Sequence, residues 1–296
     1  MDYIVDWNKI TLANNFVFCR VMEAEPELCR KLVELLLGFE VKKIKIVKSE
    51  YALKAGLLDK GIRMDVYCKA DDRVIDLEMQ TVVKLDLAKR TRYYQSLIDM
   101  DLLTKGKPYS SLKESYIVFL CLSDPLKQNL PVYFFENACR EMPEVKLNDG
   151  AYKVFFNAEK CAIMGNEKLK AFFEFLRGQE PCDTFTDKLN RIVEKLKTDA
   201  MFRGQYMTWE QSIHEEAEYR AEKMAKKMAQ NMAKDIAQDM AKDMAQNMAK
   251  DMQHAKALEA ARTLLSMHLG THEQIAQAQG LTVAEVQQLA AEQFVS

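Results

Sequence analysis

Two runs of eight residues, 62–69 (IRMDVYCK) and 73–80 (RVIDLEMQ), alternate apolar and polar side chains. That is the period of a strand buried on one face rather than of a helix. Gly61 and Asp71-Asp72 interrupt the pattern on either side, so the simplest structure is an antiparallel hairpin turning at Asp71-Asp72. With Ala70 facing Arg73, partner numbers sum to 143, which sets Asp65 opposite Glu78 and Arg63 opposite Gln80. Met64, Val66, Cys68, Ile75, Leu77 and Met79 then form the apolar face against the core. Directly opposed side chains have Cβ atoms roughly 4.5–5.5 Å apart, a span across which two carboxylates hold one divalent cation. The competing reading is an ordinary solvated acidic face. It requires a counter-ion such as Arg63, because opposed like charges repel.

The segments around the hairpin complete an α/β pattern. Residues 9–37 carry apolar groups at helical spacing, with Pro26 placed to open a second helix and Gly38 to close it. Residues 41–53 read as a strand, 86–105 as a helix and 116–122 (YIVFLCL) as a buried strand. Residues 132–157 read as further strands, with Asn148-Asp149-Gly150 as a hairpin-turn signal. This order predicts a mixed sheet flanked by helices. The expected organisation is a first domain over 1–205, a long Met/Ala-repeat helix over 206–256 and a small helix-turn-helix-like cluster over 257–296.

Everything from Asn166 onward reads as helix, with a long helical stretch starting near Asp183. Between Met224 and Met252 a Met-Ala-x-x unit repeats, with Ile236 in the place of one methionine. Four-residue spacing advances 40° per step on a 3.6-residue helix, so the stripe winds around the helix and suits helical partners. Methionine is foremost an adaptable apolar packing residue, which favours a homo-oligomer through 206–296 over a soft-metal site. Beyond it, Thr271-x-x-Gln274 and Thr282-x-x-Glu285 form two capping boxes around Gly280, a helix-turn-helix shape. No Lys or Arg follows Arg262, so a protein-protein role suits this tail better than phosphate contact.

The formal net charge of −2 conceals an asymmetry. Residues 1–205 hold 33 Lys and Arg against 31 Asp and Glu, while 206–296 hold 9 against 13. The first part therefore permits a DNA partner without requiring one. Seven scattered cysteines show no metal-ligand spacing, and no apolar run is long enough to span a bilayer, so the expected location is the cytoplasm, with no membrane partner.

Six segments together resemble the recombination-promoting nuclease (Rpn) family of transposases, a branch of the PD-(D/E)xK nucleases. They are TLANNFVF (11–18), GIRMDVY (61–67), DLEMQT (76–81), RTRYYQSLID (90–99), YIVFLCLSDP (116–125) and DGAYKVFFN (149–157). The resemblance implies a restriction-endonuclease-like α-β-β-β-α-β core and a Mg²⁺-dependent endonuclease acting on DNA in recombination, transposition or defence. It makes Asp65 and Glu78 the two motif acids, which with the Met79 backbone carbonyl would hold the metal. Gln80 stands where the wider superfamily has lysine, a replacement usual in this branch, and is expected to orient the attacking water. The proline usually found before the first acid is absent, the local sequence being Arg63-Met64-Asp65. On the following helix, Arg90, Arg92 and Tyr94, together with Arg63, are candidate DNA contacts, because cations interleaved with aromatics suit phosphates and bases. The rival function is a catalytically silent binding protein that keeps the fold and assembles through its tail.

Overall fold

The computed structural model describes residues 5–54 and 61–293, which divide into two compact units at Gln211/Ser212. In the first unit, helix α1 (Asn15–Ala24) is capped by the Asn14 side chain, which accepts from the Val17 amide at 3.3 Å. Helix α2 (Pro26–Leu37) begins with Pro26 in its first turn and ends on Gly38 in the left-handed conformation (φ 74°). Strands β1 (Ile44–Leu53), β2 (Ile62–Ala70) and β3 (Arg73–Gln80) follow, then α3 (Leu87–Leu102), β4 (Glu114–Cys121), β5 (Val132–Phe135) and β6 (Ala151–Asn157). Helices α4 (Glu167–Leu176), α5 (Thr184–Thr198) and α6 (Ala200–Ser266) complete the unit, with α6 continuing beyond it. The expected long helix from Asp183 is in fact two, broken at Asp199, whose carboxylate accepts from the Phe202 amide at 2.7 Å to start α6.

The six strands lie in the order β1-β2-β3-β4-β6-β5. β3, β4 and β6 are parallel and the other neighbouring pairs antiparallel, the mixed sheet expected. One face packs on α1, α2, α4, α5 and the start of α6 through Val66, Cys68, Ile75, Leu77, Val118, Leu120 and Phe156. The other face packs on α3 through Tyr67, Val74, Ile117, Phe119 and Phe155. Central strand β4 is covered on both faces, which is why its sequence is a continuous apolar run and not an alternation. The Asn148-Asp149-Gly150 turn does not join two adjacent strands directly. It closes a longer excursion from Phe135, held by one bridge between Ala138 and Lys146, and returns the chain to β6.

The first unit extends to Gln211 because Tyr206 and Trp209 still pack on Phe16, with ring centroids 5.7 and 5.3 Å away. In the second unit, α6 is exposed from 214 to 256, with Met224, Met240 and Met252 58–66% accessible. Its last turns join α7 (His272–Gln279) and α8 (Val283–Gln293) around Ala261, Ile275, Ala276, Leu281, Val286 and Leu289. Both expected capping boxes form, and Gly280 (φ 67°) makes the turn between them. Among the described residues no helix is long and apolar enough to cross a membrane.

Candidate metal and catalytic site

Strands β2 and β3 pair from Ala70/Arg73 to Val66/Leu77 in the register expected, turning at Asp71-Asp72. Asp71 takes a positive φ of 50°, tolerable for Asp in a turn, and its carboxylate accepts from the Lys42 and Lys43 amides at 3.0 Å each. The ladder stops one step before the two acids. The Met79 amide donates to Asp65 Oδ2 at 2.9 Å, and the Asp65 amide donates to Glu78 Oε1 at 3.1 Å. On the other side, the β1-β2 register passes from Ser49/Val66 to Tyr51/Met64, skipping Glu50 and Asp65, and Glu50 has a positive φ of 50°. Asp65 therefore sits where β2 leaves both of its ladders, with side chains substituting for backbone partners.

This opening changes the parity of β2. Met64, expected on the apolar stripe with Val66, lies instead with Tyr67 and Val74 on the α3 side. Arg63 is not beside Gln80. It is paired with Ala52 of β1, half exposed, and 3.7 Å from Glu50.

Each acid is held by a different layer. Asp65 Oδ1 accepts from Asn15 Nδ2 of α1 at 2.9 Å, and the Cys19 thiol lies 3.1 Å from the Asp65 carbonyl. Glu78 Oε2 accepts from Arg90 Nη2 of α3 at 3.0 Å. Arg90 also donates from Nη1 to Gln80 Oε1 at 3.3 Å and from Nη2 to the Tyr94 hydroxyl at 2.8 Å. Its guanidinium rests 5.2 Å from the Tyr94 ring centroid and 5.4 Å from that of Phe119. The Gln80 amide nitrogen donates to the Val82 carbonyl in the loop leading to α3. Asp65, Glu78, Gln80, Arg90 and Tyr94 thus come together. Tyr94 is 6% exposed with its hydroxyl turned to Arg90, so it is a core residue and not an open platform for a base. Arg92 is exposed on α3, outside the cluster.

Burial raises the pKa of Asp65, opposed by its hydrogen bonds from Asn15 and Met79 and by the charges of Arg90 and Arg63. Glu78 is pushed well above the usual carboxylate range, first by burial and then by the charges of Asp65 and Asp76. Asp76 was given no role by the sequence pattern. It is fully buried two residues before Glu78 on the same strand face, and neither of its carboxyl oxygens has a hydrogen-bond partner. Its pKa is raised well above the ordinary value by burial and then by Asp65. The available signal was its i, i+2 spacing from Glu78. Asn15 had its signal in the 11–18 segment of the resemblance, whereas Cys19 had none as a site neighbour, since only the docking of α1 brings it there.

The donor set fits a hard divalent cation. Two crowded, buried carboxylates disfavour their own ionisation, and a bound cation would reverse that balance. Within a strand the N–H and C=O of one residue point to the same edge, so the Met79 carbonyl faces the same opening as its amide. Among the described residues no group of three or more His, Cys, Asp or Glu side chains is placed to hold a metal, so a cation here would draw on two carboxylates and on backbone oxygen.

Comparison with curated proteins and with solved structures returns no match. A sequence model of the family described as PD-(D/E)XK nuclease family transposase matches residues 12–263, from just before α1 to the last turn of α6. With that span matched, and with a hairpin carrying two acids on a mixed sheet, the chain belongs to the PD-(D/E)XK nuclease family of transposases.

Proposed function

We propose that the protein is a metal-dependent DNA endonuclease that hydrolyses phosphodiester bonds in recombination, transposition or defence against foreign DNA. The observation that carries this reading is the opening of the hairpin at Asp65 and Glu78, where two buried carboxylates lie side by side, Asp65 accepting from the Met79 amide and Glu78 from the Asp65 amide. Asp65, Glu78 and the Met79 carbonyl would hold Mg²⁺, since an all-oxygen set suits a hard cation. When bound, the metal supplies Lewis acidity at a phosphodiester oxygen and a water of lowered pKa. Asn15 and the Met79 amide fix the Asp65 carboxylate from two directions, so it would be held already oriented for a metal. Arg63 and Arg92, both exposed, would meet the phosphate backbone.

The second unit would assemble two copies of the chain through the exposed methionine stripe of α6, with the DNA bound by the first unit. All seven cysteines are free thiols, five of them buried, which suits action in the reducing cytosol. The test is incubation of purified protein with supercoiled plasmid in Mg²⁺ and in EDTA. Nicking in Mg²⁺ that EDTA stops supports the reading. Equal plasmid integrity in both, with DNA binding retained, would replace it by the silent binding protein.

A further inference from the structure

The motif's third position carries glutamine where a fixed positive charge would help stabilise the attacked phosphate, yet the site is not without a cation. Arg90 reaches in from α3, 3.0 Å from Glu78 Oε2 and 3.3 Å from Gln80 Oε1. Its side chain is 22% exposed, so it keeps access to solvent while the guanidinium lies beside the Tyr94 and Phe119 rings. Both ends of the Gln80 amide are engaged, the oxygen by Arg90 and the nitrogen by the Val82 carbonyl, so the side chain ties the guanidinium to the start of the 81–86 loop. We propose that Arg90 supplies the fixed positive charge missing from residue 80, touching the phosphate in the transition state, and that Gln80 is a positioning residue for it. This inference rests on the nuclease reading and deepens it by assigning the charge that acts beside the metal.

Three features favour this role over simple counter-ion duty. A counter-ion to Glu78 alone has no need of Gln80, whereas three acceptors on one guanidinium fix its plane as well as its place. Contact with two rings adds to these hydrogen bonds in holding the charge in place, and a charge that need not reorganise during reaction stabilises a developing anion most. The chain also places no Lys nearer to Glu78 on its own strand, since β3 reads RVIDLEMQ.

The test moves the charge within the full-length protein. Arg90→Met is expected to lower single-turnover plasmid cleavage on the order of 100-fold, while DNA affinity measured in Ca²⁺ changes by less than about threefold, as for one phosphate contact among several. The double variant Gln80→Lys/Arg90→Met returns the charge to the strand and is expected to recover about tenfold or more of the lost rate. Gln80→Lys alone crowds two cations and is expected to cleave more slowly than the parent. If Arg90→Met fails to fold, judged by thermal melting, Arg90→Gln removes the charge while keeping a polar group toward Glu78 and Tyr94. Wild-type rate in Arg90→Met or Arg90→Gln overturns the proposal, as does a folded, Mn²⁺-binding double variant that recovers nothing. A rate loss matched by an equal loss of DNA affinity also overturns it, reducing Arg90 to a binding contact. An unmodified protein that binds Mn²⁺ by calorimetry but cleaves no DNA instead defeats the nuclease reading and this inference with it.

Discussion

Glu78 accepts one hydrogen bond from the backbone of the opposing strand and one from Arg90, and at 2% exposure it has little access to water. Replacing it by Gln, or Asp65 by Asn, keeps the volume and removes the charge that a divalent ion needs. Each variant is expected to lower plasmid nicking by about 100-fold or more, with an unchanged circular dichroism spectrum. Nicking at the parental rate in both would remove these residues from the site. The raised pKa values carry a second expectation. A folded-state pKa above the unfolded one means the folded chain binds more protons, so the contribution favours folding at acid pH. It is lost as pH rises from the ordinary carboxylate range through the raised values. The melting temperature of metal-free protein, taken relative to Glu78→Gln, should therefore fall as pH is raised from about 4 toward 8. Mg²⁺ should restore more of it at pH 8 than at pH 5, because it binds the folded, ionised site. A wild-type-minus-variant difference that is flat with pH would contradict this. At this scale the two acids were legible because their spacing across a two-residue turn places them opposite each other. Arg90's attachment to Gln80 was not, since it depends on how α3 docks on the sheet.

The hairpin shows where sequence pattern gives way to structure at the scale of elements. Alternation and the Asp71-Asp72 turn set the register from Ala70/Arg73 to Val66/Leu77. The break beyond it was hidden, because nothing in an alternating pattern says that a carboxylate will take a backbone amide. One such exchange at Asp65 was enough to carry Met64 to the opposite face. In β4, by contrast, the unbroken apolar run stated its burial on both faces directly. Leu77 sits fully buried on the face toward α1 and α2, one residue before Glu78. Leu77→Ala should cost about 2–5 kcal/mol of stability in denaturant unfolding, whereas Arg63→Ala, exposed and 3.7 Å from its partner, should cost under about 1 kcal/mol. A Leu77→Ala cost below that of Arg63→Ala would mean the hairpin does not bear on the core as described. Gly38 has φ 74° with open space where a Cβ would stand, so its demand is conformational. Gly38→Ala should cost about 1 kcal/mol by the same measurement.

For the whole molecule, the sequence marked the change from sheet to helix at Asn166 and put the end of the first domain at residue 205, because Tyr206 and Trp209 lie inside a stretch that reads as continuous helix. Their packing on Phe16 shows that the first unit needs them. A chain ending at Gln211 should be folded and monomeric by light scattering, while the full chain runs as an oligomer, with salt-dependent DNA affinity similar in both. A monomeric full-length protein, or a shortened one that loses most DNA affinity, would return the tail to a DNA-reading role. The repeat within α6 has a further property. Each Met-Ala-x-x unit lengthens the helix by about 6 Å and rotates the chain beyond it by about 40°, so inserting or deleting one unit acts like turning a screw by a fixed step. Within the second unit, the α7-α8 cluster is thus carried on a thread, its distance from Ser212 tied to its rotation. About nine added units would bring it back to the same heading, while fewer would aim it elsewhere without disturbing any buried contact.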